Sequence, residues 1–374
     1  MSRGAEAIAA RARAGLLQCL CGFGGAPDED GVAAAPAARH FAGGFMLAVV
    51  SQVMCLSALP LAGWMLAPRP SFAFWPLAAL VAGSGIATLP ASLLRDAFGR
   101  RAAFALGASL GIAGGAIGAW ALIDHQFFLL VLGAFWLGIA QGFGLFYRHD
   151  VALGSAATHR RDVALVMAAG AVAGILSPLL GRFAEQAFAP HVYAGSLAAA
   201  GLAHAGALAL TRGLPLVEPR EAGNEARERS DWSAILWATV LAGLAWFAMG
   251  RLMAAVPLGL SGCGISFTGL SGIVAWHVVA MYAPAALAPS LVRRIGVIRL
   301  QVAATALLVA CLALASATLT PTLLTLAYLA VGVGWSLSTV CATLRLGEAR
   351  VNRGALALHD GALFAATLAG LLTA

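Results

Sequence analysis

Residues 92–101 read SLLRDAFGRR, a short charged segment between two long apolar runs at 72–94 and 102–123. Each run has roughly the 20 predominantly apolar residues that a helix needs to cross a bilayer. A charged connection of this length fits a tight turn between two such helices. The segment and its flanks therefore predict a pair of transmembrane helices.

The composition extends this interpretation to the whole chain. Of the 374 residues, 61% are hydrophobic and only 10% are charged. Soluble domains are typically about 45–50% apolar and about 25% charged. This composition excludes a disordered chain, a disulfide-framed secreted domain and an ordinary cytosolic enzyme. Because a helix satisfies its own backbone hydrogen bonds in lipid, we predict an all-α polytopic membrane protein.

The apolar runs are regular enough to predict a domain organisation. We predict about eleven transmembrane helices, at 43–66, 72–94, 102–123, 127–147, 163–185, 191–212, 233–258, 272–292, 297–318, 321–343 and 355–374. Residues 1–41 are predicted to be a cytosolic N-terminal extension. A six-helix bundle at 42–212 is followed by a charged cytoplasmic linker at 213–232 and a five-helix bundle at 233–374.

The basic residues indicate an orientation. All 23 are arginine. With a cytoplasmic N-terminus, twenty of them lie on the cytoplasmic side of the predicted helices, while Arg69 and Arg182 lie outside and Arg251 lies within a span. This asymmetry follows the positive-inside rule. Because the arginines occupy separate gaps and form no single face, we expect no nucleic-acid partner.

The charged segment also carries a resemblance. Five of its residues match the signature loop of the major facilitator superfamily, G-x-L-x-D-R-x-G-R-R: Leu94, Asp96, Gly99, Arg100 and Arg101. In that family the loop joins the second and third helices, as it does here, although Ser92 and Ala97 depart from the pattern. A weaker copy at 291–296 lies at the corresponding loop of the second half, and 276–284 is similar to a bacterial subgroup.

The resemblance implies two pseudo-symmetric helical bundles around a central site, in a multi-pass protein of the bacterial inner membrane. It implies a secondary transporter that moves a small organic solute by alternating access, with H⁺ as the coupling ion or with the solute gradient itself as the energy source. The family usually has twelve helices, and the predicted set of six plus five lacks the last. A second hypothesis is therefore a truncated or non-transporting membrane subunit that needs a partner.

The sequence offers little support for an enzyme. It contains no P-loop, no G-x-S-x-G and no paired carboxylates at a catalytic spacing. The six cysteines show no CxxC or His/Cys ligand spacing, so we expect no metal and no cofactor. The expected partners are the solute, its coupling ion and the lipid bilayer.

The signature loop predicts a gate. Asp96 precedes Arg100 by four residues, and Asp150 follows the fourth span on the same predicted side. We expect these three residues, with Gly99 and Arg101, to lock the cytoplasmic gate in the outward-facing state through ion pairs. The alternative is that these charges only set topology on a solvated loop.

Two cationic side chains predict an anionic solute. Arg251 lies deep in the seventh span beyond Trp246, and His277 lies at a similar depth in the eighth. Arginine at such depth usually faces a cavity or a partner. The alternative is that Arg251 extends to the outer interface.

The resemblance adds further cavity candidates, because it places Gln52, Gln141 and Trp335 on helices that line the cavity. The two glutamines fit either a solute contact or a bond between helices. His359 and Asp360 are proton-coupling candidates near the cytoplasmic end of the eleventh span. They fit equally a simple helix entrance.

Overall fold

The computed structural model describes residues 34–152, 158–215, 232–265, 267–318, 320–349, 351 and 353–373. Most of the predicted N-terminal extension and most of the predicted linker lie outside these residues. The first helix begins at Ala34, inside the stretch expected to be an extension.

Within the described ranges the regular structure is helical. The first part of the chain contains α1 (Ala34–Leu66), α2 (Trp75–Ile123), α3 (Phe127–Ala152), α4 (His159–Ala169), α5 (Ala171–Ala187) and α6 (Ala194–Leu210). The second part contains α7 (Trp232–Gly262), α8 (Phe267–Tyr282), α9 (Ala288–Ile295), α10 (Val297–Ala317), α11 (Pro321–Glu348) and α12 (Arg353–Leu372).

These helices provide eleven membrane crossings. Ten described segments are long and apolar enough to span a bilayer, and one of them, Pro70–Ile123, has 54 residues. At 1.5 Å per residue that segment is about 80 Å long, against about 30 Å of hydrocarbon, so it crosses twice. Gly99 reverses the chain between the two crossings, with φ 81° and ψ 167°. Such a positive φ favours glycine. Because one of the ten segments crosses twice, the prediction of about eleven spans is confirmed.

Two predicted spans are each built from two helices. The span at 163–185 is divided between α4 and α5 at Gly170, and the span at 272–292 is divided between α8 and α9 by a 3₁₀ turn at Ala283–Leu287. Apolar residues continue through each break, so the apolar run alone does not reveal where the helix axis changes.

The helices pack as two bundles with a shared interface. In the first bundle α2 packs on α3 and α6, and α1 packs on α6; in the second, α7 packs on α11 and α12, and α10 packs on α11. Between the bundles α2 packs on α12, and α5 packs on α8. A side chain at the contacts between the bundles can therefore form a hydrogen bond or an ion pair that joins the two bundles.

Glycines allow the closest helix contacts inside the first bundle. A Cβ on Gly138 of α3 would lie 2.0 Å from the Leu80 carbonyl oxygen of α2, and one on Gly115 would lie 2.5 Å from the Gly201 Cα of α6. Small residues let backbones approach in lipid, where packing drives helix association. These contacts hold α2, α3 and α6 together as one unit.

The two ends of the molecule differ in chemistry. At one end of the molecule, ion pairs and hydrogen bonds connect neighbouring helix ends. They are made by Arg95, Arg101, Arg148 and Arg160, and we call this the arginine-rich end. At the opposite end Trp64, Phe74, Trp75, Trp120 and Phe128 are exposed. Exposed aromatic rings at helix ends are typical of a membrane–water interface.

We predict that Gly138→Ala lowers the free energy of unfolding by about 1–3 kcal/mol, because its methyl group would overlap a backbone carbonyl. The matched control is Gly243→Ala, where a Cβ meets no atom within 4 Å. That control should be neutral or slightly stabilising, since alanine is the better helix former. Thermal unfolding in detergent measures both, and equal midpoints would contradict the packing argument.

Candidate functional site

A buried ion pair joins the two bundles near the arginine-rich end. The Nη2 atom of Arg148 on α3 lies 2.5 Å from Oδ1 of Asp360 on α12, and both side chains are at most 1% exposed. Water cannot reach either group here, and an isolated buried charge is strongly destabilising. While the bundles are in contact, each charge is therefore stabilised by the opposite charge of its partner.

His149 is the second partner of the same carboxylate. Its Nε2 atom lies 3.2 Å from Oδ1 and 3.1 Å from Oδ2 of Asp360. A carboxylate can only accept, so Nε2–H donates and a neutral imidazole suffices. Arg148 and His149 thus hold Asp360 from consecutive positions of α3.

The neighbouring His359 has a definable tautomer. Its Nδ1 atom lies 2.8 Å from Oγ1 of Thr239 on α7, and that hydroxyl donates to the Ile235 carbonyl oxygen at 2.7 Å. A threonine hydroxyl has one proton, so Nδ1–H of His359 is the donor in the first contact. Its Nε2 atom then carries a lone pair, is buried, and has no hydrogen-bond partner among the described residues.

Two further ion pairs lie beside this centre. Arg95 pairs with Asp150 inside the first bundle, and both side chains are 1% exposed. Arg160 on α4 pairs with Glu348 on α11 at 2.9 Å, with 48% and 41% of these side chains exposed. Exposed pairs contribute at most about 1 kcal/mol, whereas loss of one partner of a buried pair leaves an uncompensated charge, so the closed interface depends more on Arg148 and Asp360.

Aromatic rings cover the ion pair on the side away from the arginine-rich end. We call Trp246, Tyr282, Trp335 and Phe364 the aromatic cluster. The ring of Trp246 lies 5.3 Å from that of Trp335 and 5.5 Å from that of Phe364, and the Trp335 and Tyr282 rings are 5.6 Å apart. The Arg148 guanidinium lies 5.9 Å from the Trp246 ring centre.

Two polar atoms of these rings have hydrogen-bond partners, one inside the second bundle and one on the first bundle. Nε1 of Trp246 donates to Oγ1 of Thr339 at 3.1 Å. The hydroxyl of Tyr282, on α8, donates to Oε1 of Gln52 on α1 at 3.4 Å. The aromatic cluster therefore contacts the first bundle through Gln52 and Arg148.

Several residues predicted from the sequence meet at this centre. Gln52, Trp246, Trp335, His359 and Asp360 all lie in or beside the aromatic cluster and the ion pair. Gln141 precedes Arg148 by seven residues on α3, which places it on the same helix face about 10 Å away. Its Nε2 atom is buried without a hydrogen-bond partner in the described part of the chain.

Arg251 and His277 have different surroundings. His277 is fully buried against α11, where its Nδ1 atom bonds the Tyr328 carbonyl oxygen at 2.6 Å and its ring stacks on the Tyr328 ring at 3.8 Å. Arg251 is partly exposed on α7, where the backbone packs on Gly370 of α12. His277 is thus bonded within the second bundle, and the backbone of Arg251 lies at the contact between α7 and α12.

The predicted gate residues also have defined places. Asp150 is held by Arg95, which the signature pattern did not include. The Arg100 guanidinium lies 5.5 Å from the Phe41 ring centre, and Arg101 donates from Nε to the Leu214 carbonyl oxygen. Asp96 is exposed at the turn that Gly99 makes.

Sequence reasoning did not assign Arg95, Arg148, His149, Thr239 or Tyr282 to a site. One signal was present, since Arg148-His149-Asp150 places three titratable residues together directly after a long apolar run. Asp360, the partner of Arg148 and His149, is 212 residues beyond Arg148. No local pattern connects residues so far apart.

We predict that Asp360→Asn or Arg148→Gln alone lowers the free energy of unfolding by about 3–5 kcal/mol, because each leaves one charge buried without its partner. The double variant should lose less than either single variant, since no uncompensated charge remains. A double-mutant cycle from thermal unfolding in detergent measures the coupling. Additive losses would show that the two groups do not depend on each other.

No protein-family model matches the sequence. Among curated proteins, the chain is similar to the riboflavin transporter RfnT of Brucella anthropi, with 31% identity over 153 residues. The match covers 40% of this chain and 38% of that protein, so it spans less than half the length of the relative.

Solved structures match over most of the chain. The human organic anion transporter MFSD10 is 18% identical with a TM-score of 0.70, covering 91% of this chain and 92% of that one. The proton:xylose symporter XylE of the major facilitator superfamily is 14% identical with a TM-score of 0.69, covering 91% and 88%. A bacterial homologue of the iron transporter ferroportin is 14% identical with a TM-score of 0.63, covering 90% and 97%. The chain has the fold of the major facilitator superfamily.

Proposed function

We propose that the protein is a secondary active transporter that moves a small organic solute across the bacterial inner membrane by alternating access. The observation that carries this proposal is the buried Arg148–Asp360 pair between the bundles. With the N-terminus in the cytoplasm, the arginine-rich end is the cytoplasmic end. The pair then closes the cytoplasmic gate beneath the aromatic cluster.

The energetics of this pair suit a gate. In the closed state the attraction between the two ions offsets the cost of removing them from water. In the open state water hydrates both ions and replaces that attraction. The closed state can therefore be favoured by only a few kcal/mol, whereas a purely apolar contact would favour closure more strongly.

The gate also offers a place for coupling to protons. The Nε2 lone pair of His359 can bind a proton that enters from water, and the new charge would lie beside Arg148 and His149 on α3 and Asp360 on α12. A buried cluster with two opposite charges would then gain a net positive charge, which burial disfavours. Protonation at His359 or Asp360 should thus favour the open, hydrated gate.

Two observations bear on the identity of the solute. The similarity to the riboflavin transporter of Brucella anthropi makes riboflavin the first compound to test. An anionic solute held by Arg251 and His277 is the alternative that the sequence predicts. Uptake by an Arg251→Ala variant tests it, because loss of a required guanidinium should reduce transport of the anion.

We predict reciprocal changes in accessibility when the gate is weakened. In a variant without native cysteines, Val151→Cys and Leu371→Cys report on the two ends of the bundle interface. Asp360→Asn should increase labelling at 151 several-fold by a membrane-impermeant maleimide and decrease labelling at 371, because the pair no longer holds the gate closed. Asp124→Asn, the same change in a loop at the opposite end, is the control.

Two results of that labelling experiment would contradict the proposal. Equal labelling in Asp360→Asn and the control would show that the Arg148–Asp360 pair does not close a gate. A rise at both positions would indicate general loosening of the structure. Either result would favour the second hypothesis, a membrane subunit that does not transport alone.

We predict that His359→Gln separates proton coupling from solute movement. Accumulation driven by a pH gradient in proteoliposomes should fall at least tenfold, because glutamine cannot be protonated. Solute exchange without a gradient should stay within about twofold. His191→Gln, in a loop at the opposite end, should leave both rates unchanged. Equal losses of accumulation and exchange would show a structural role for His359 only.

A further inference from the structure

We propose that the aromatic cluster is the solute-binding site and that the solute carries a planar aromatic ring system. This inference rests on the proposed transport function and names the solute class for the same centre. It depends on the position of the four rings, on their polar partners and on the arginine that faces them.

The position of the cluster fits a site reached from either side. Its rings come from α7, α8, α11 and α12, and its polar partners Gln52 and Arg148 come from α1 and α3. A solute held here would contact both bundles. It would also lie directly beside the ion pair that closes the gate.

The four rings form one contiguous aromatic cluster that is buried at the bundle interface. They follow one another at 5.3–5.6 Å in tilted or edge-on orientations, within the range of favourable aromatic pairs. Each is at most 8% exposed. In contrast, the aromatic residues at the opposite end, such as Trp64 and Phe128, are more than 60% exposed, as expected for interface anchors. The central rings therefore need another explanation than membrane anchoring.

The bonds around the cluster can be exchanged for bonds to a solute. The 3.4 Å contact between the Tyr282 hydroxyl and Gln52 lies at the long limit for a hydrogen bond. A polar atom on the edge of a solute ring could replace it at low cost. The Arg148 guanidinium, which already faces the Trp246 ring, can cover the face of a bound ring in the same way.

Among the described residues, the polar side chains bonded at the cluster are fewer than a polyhydroxylated solute would require. The side-chain bonds described at the cluster come from Gln52, Thr339 and Tyr282. A site that recognises many hydroxyl groups needs many directional donors and acceptors, because each unpaired polar group costs free energy when it is buried. The chemistry favours ring faces with a few polar edge atoms.

The test uses pairs of probes that differ in aromaticity alone. Naphthalene-2-carboxylate and naphthalene-2-carboxamide are compared with their decahydronaphthalene counterparts, which carry the same charge, on the purified full-length protein. Tryptophan fluorescence and thermal shift measure binding. Both aromatic probes should bind at least tenfold more tightly than their saturated partners, whatever their charge. Equal binding of the saturated partners, or no binding of either aromatic probe, would overturn the inference.

Variants locate the binding. Trp335→Leu should weaken binding of the aromatic probes at least tenfold, and Trp335→Phe should restore it to within about threefold. Trp120→Leu removes an exposed ring at the opposite end and is the control. If Trp335→Leu does not fold, Phe364→Leu replaces it. An unchanged affinity in the folded variant would exclude the aromatic cluster as the site.

The two proposals fail separately. Reciprocal cysteine labelling needs no solute, so it tests alternating access alone. If labelling is reciprocal and the aromatic probes do not bind, only the inference about the solute is wrong. If the probes bind and labelling does not change, the aromatic cluster is a binding site in a protein that does not alternate.

Discussion

A buried charge must keep a partner, and this constraint organises the centre of the molecule. Arg148 and Asp360 lie on helices of different bundles and are almost completely buried. If the bundles separate at this end, water or a proton must take over the role of the lost partner. Movement, hydration and protonation are therefore linked at one place, and the aromatic cluster lies directly beside it.

The closest backbone approaches lie within the bundles, while the interface between them combines longer glycine contacts, such as that of Gly174 with Ala275, with polar contacts. In the first bundle, backbone approaches at Gly138 and Gly115 leave no room for sliding. Between the bundles, the ion pair, the 3.4 Å bond of Tyr282 and the exposed Arg160–Glu348 pair can all be exchanged for water. Separation between the bundles should thus cost less than rearrangement inside one, as rigid-body movement requires.

Properties that depend on neighbouring residues were predictable from the sequence. Hydropathy predicts the spans, and the SLLRDAFGRR segment predicts the turn that Gly99 makes. Properties that depend on residues far apart in the sequence were not predictable in this way. Asp360 was a candidate for its charge alone, and its partners Arg148 and His149 followed only from the fold. Arg251 and His277 matched in depth along their helices, yet depth does not specify which neighbouring helix a side chain faces.

The central claim is that the Arg148–Asp360 pair keeps the bundles together at the arginine-rich end. The most direct test is the distance between spin labels at Ala97 and Arg294, which lie at this end on the first and second bundles. The account predicts one short distance in the native protein and a second, longer population in Asp360→Asn. An unchanged single distance in that variant would contradict it.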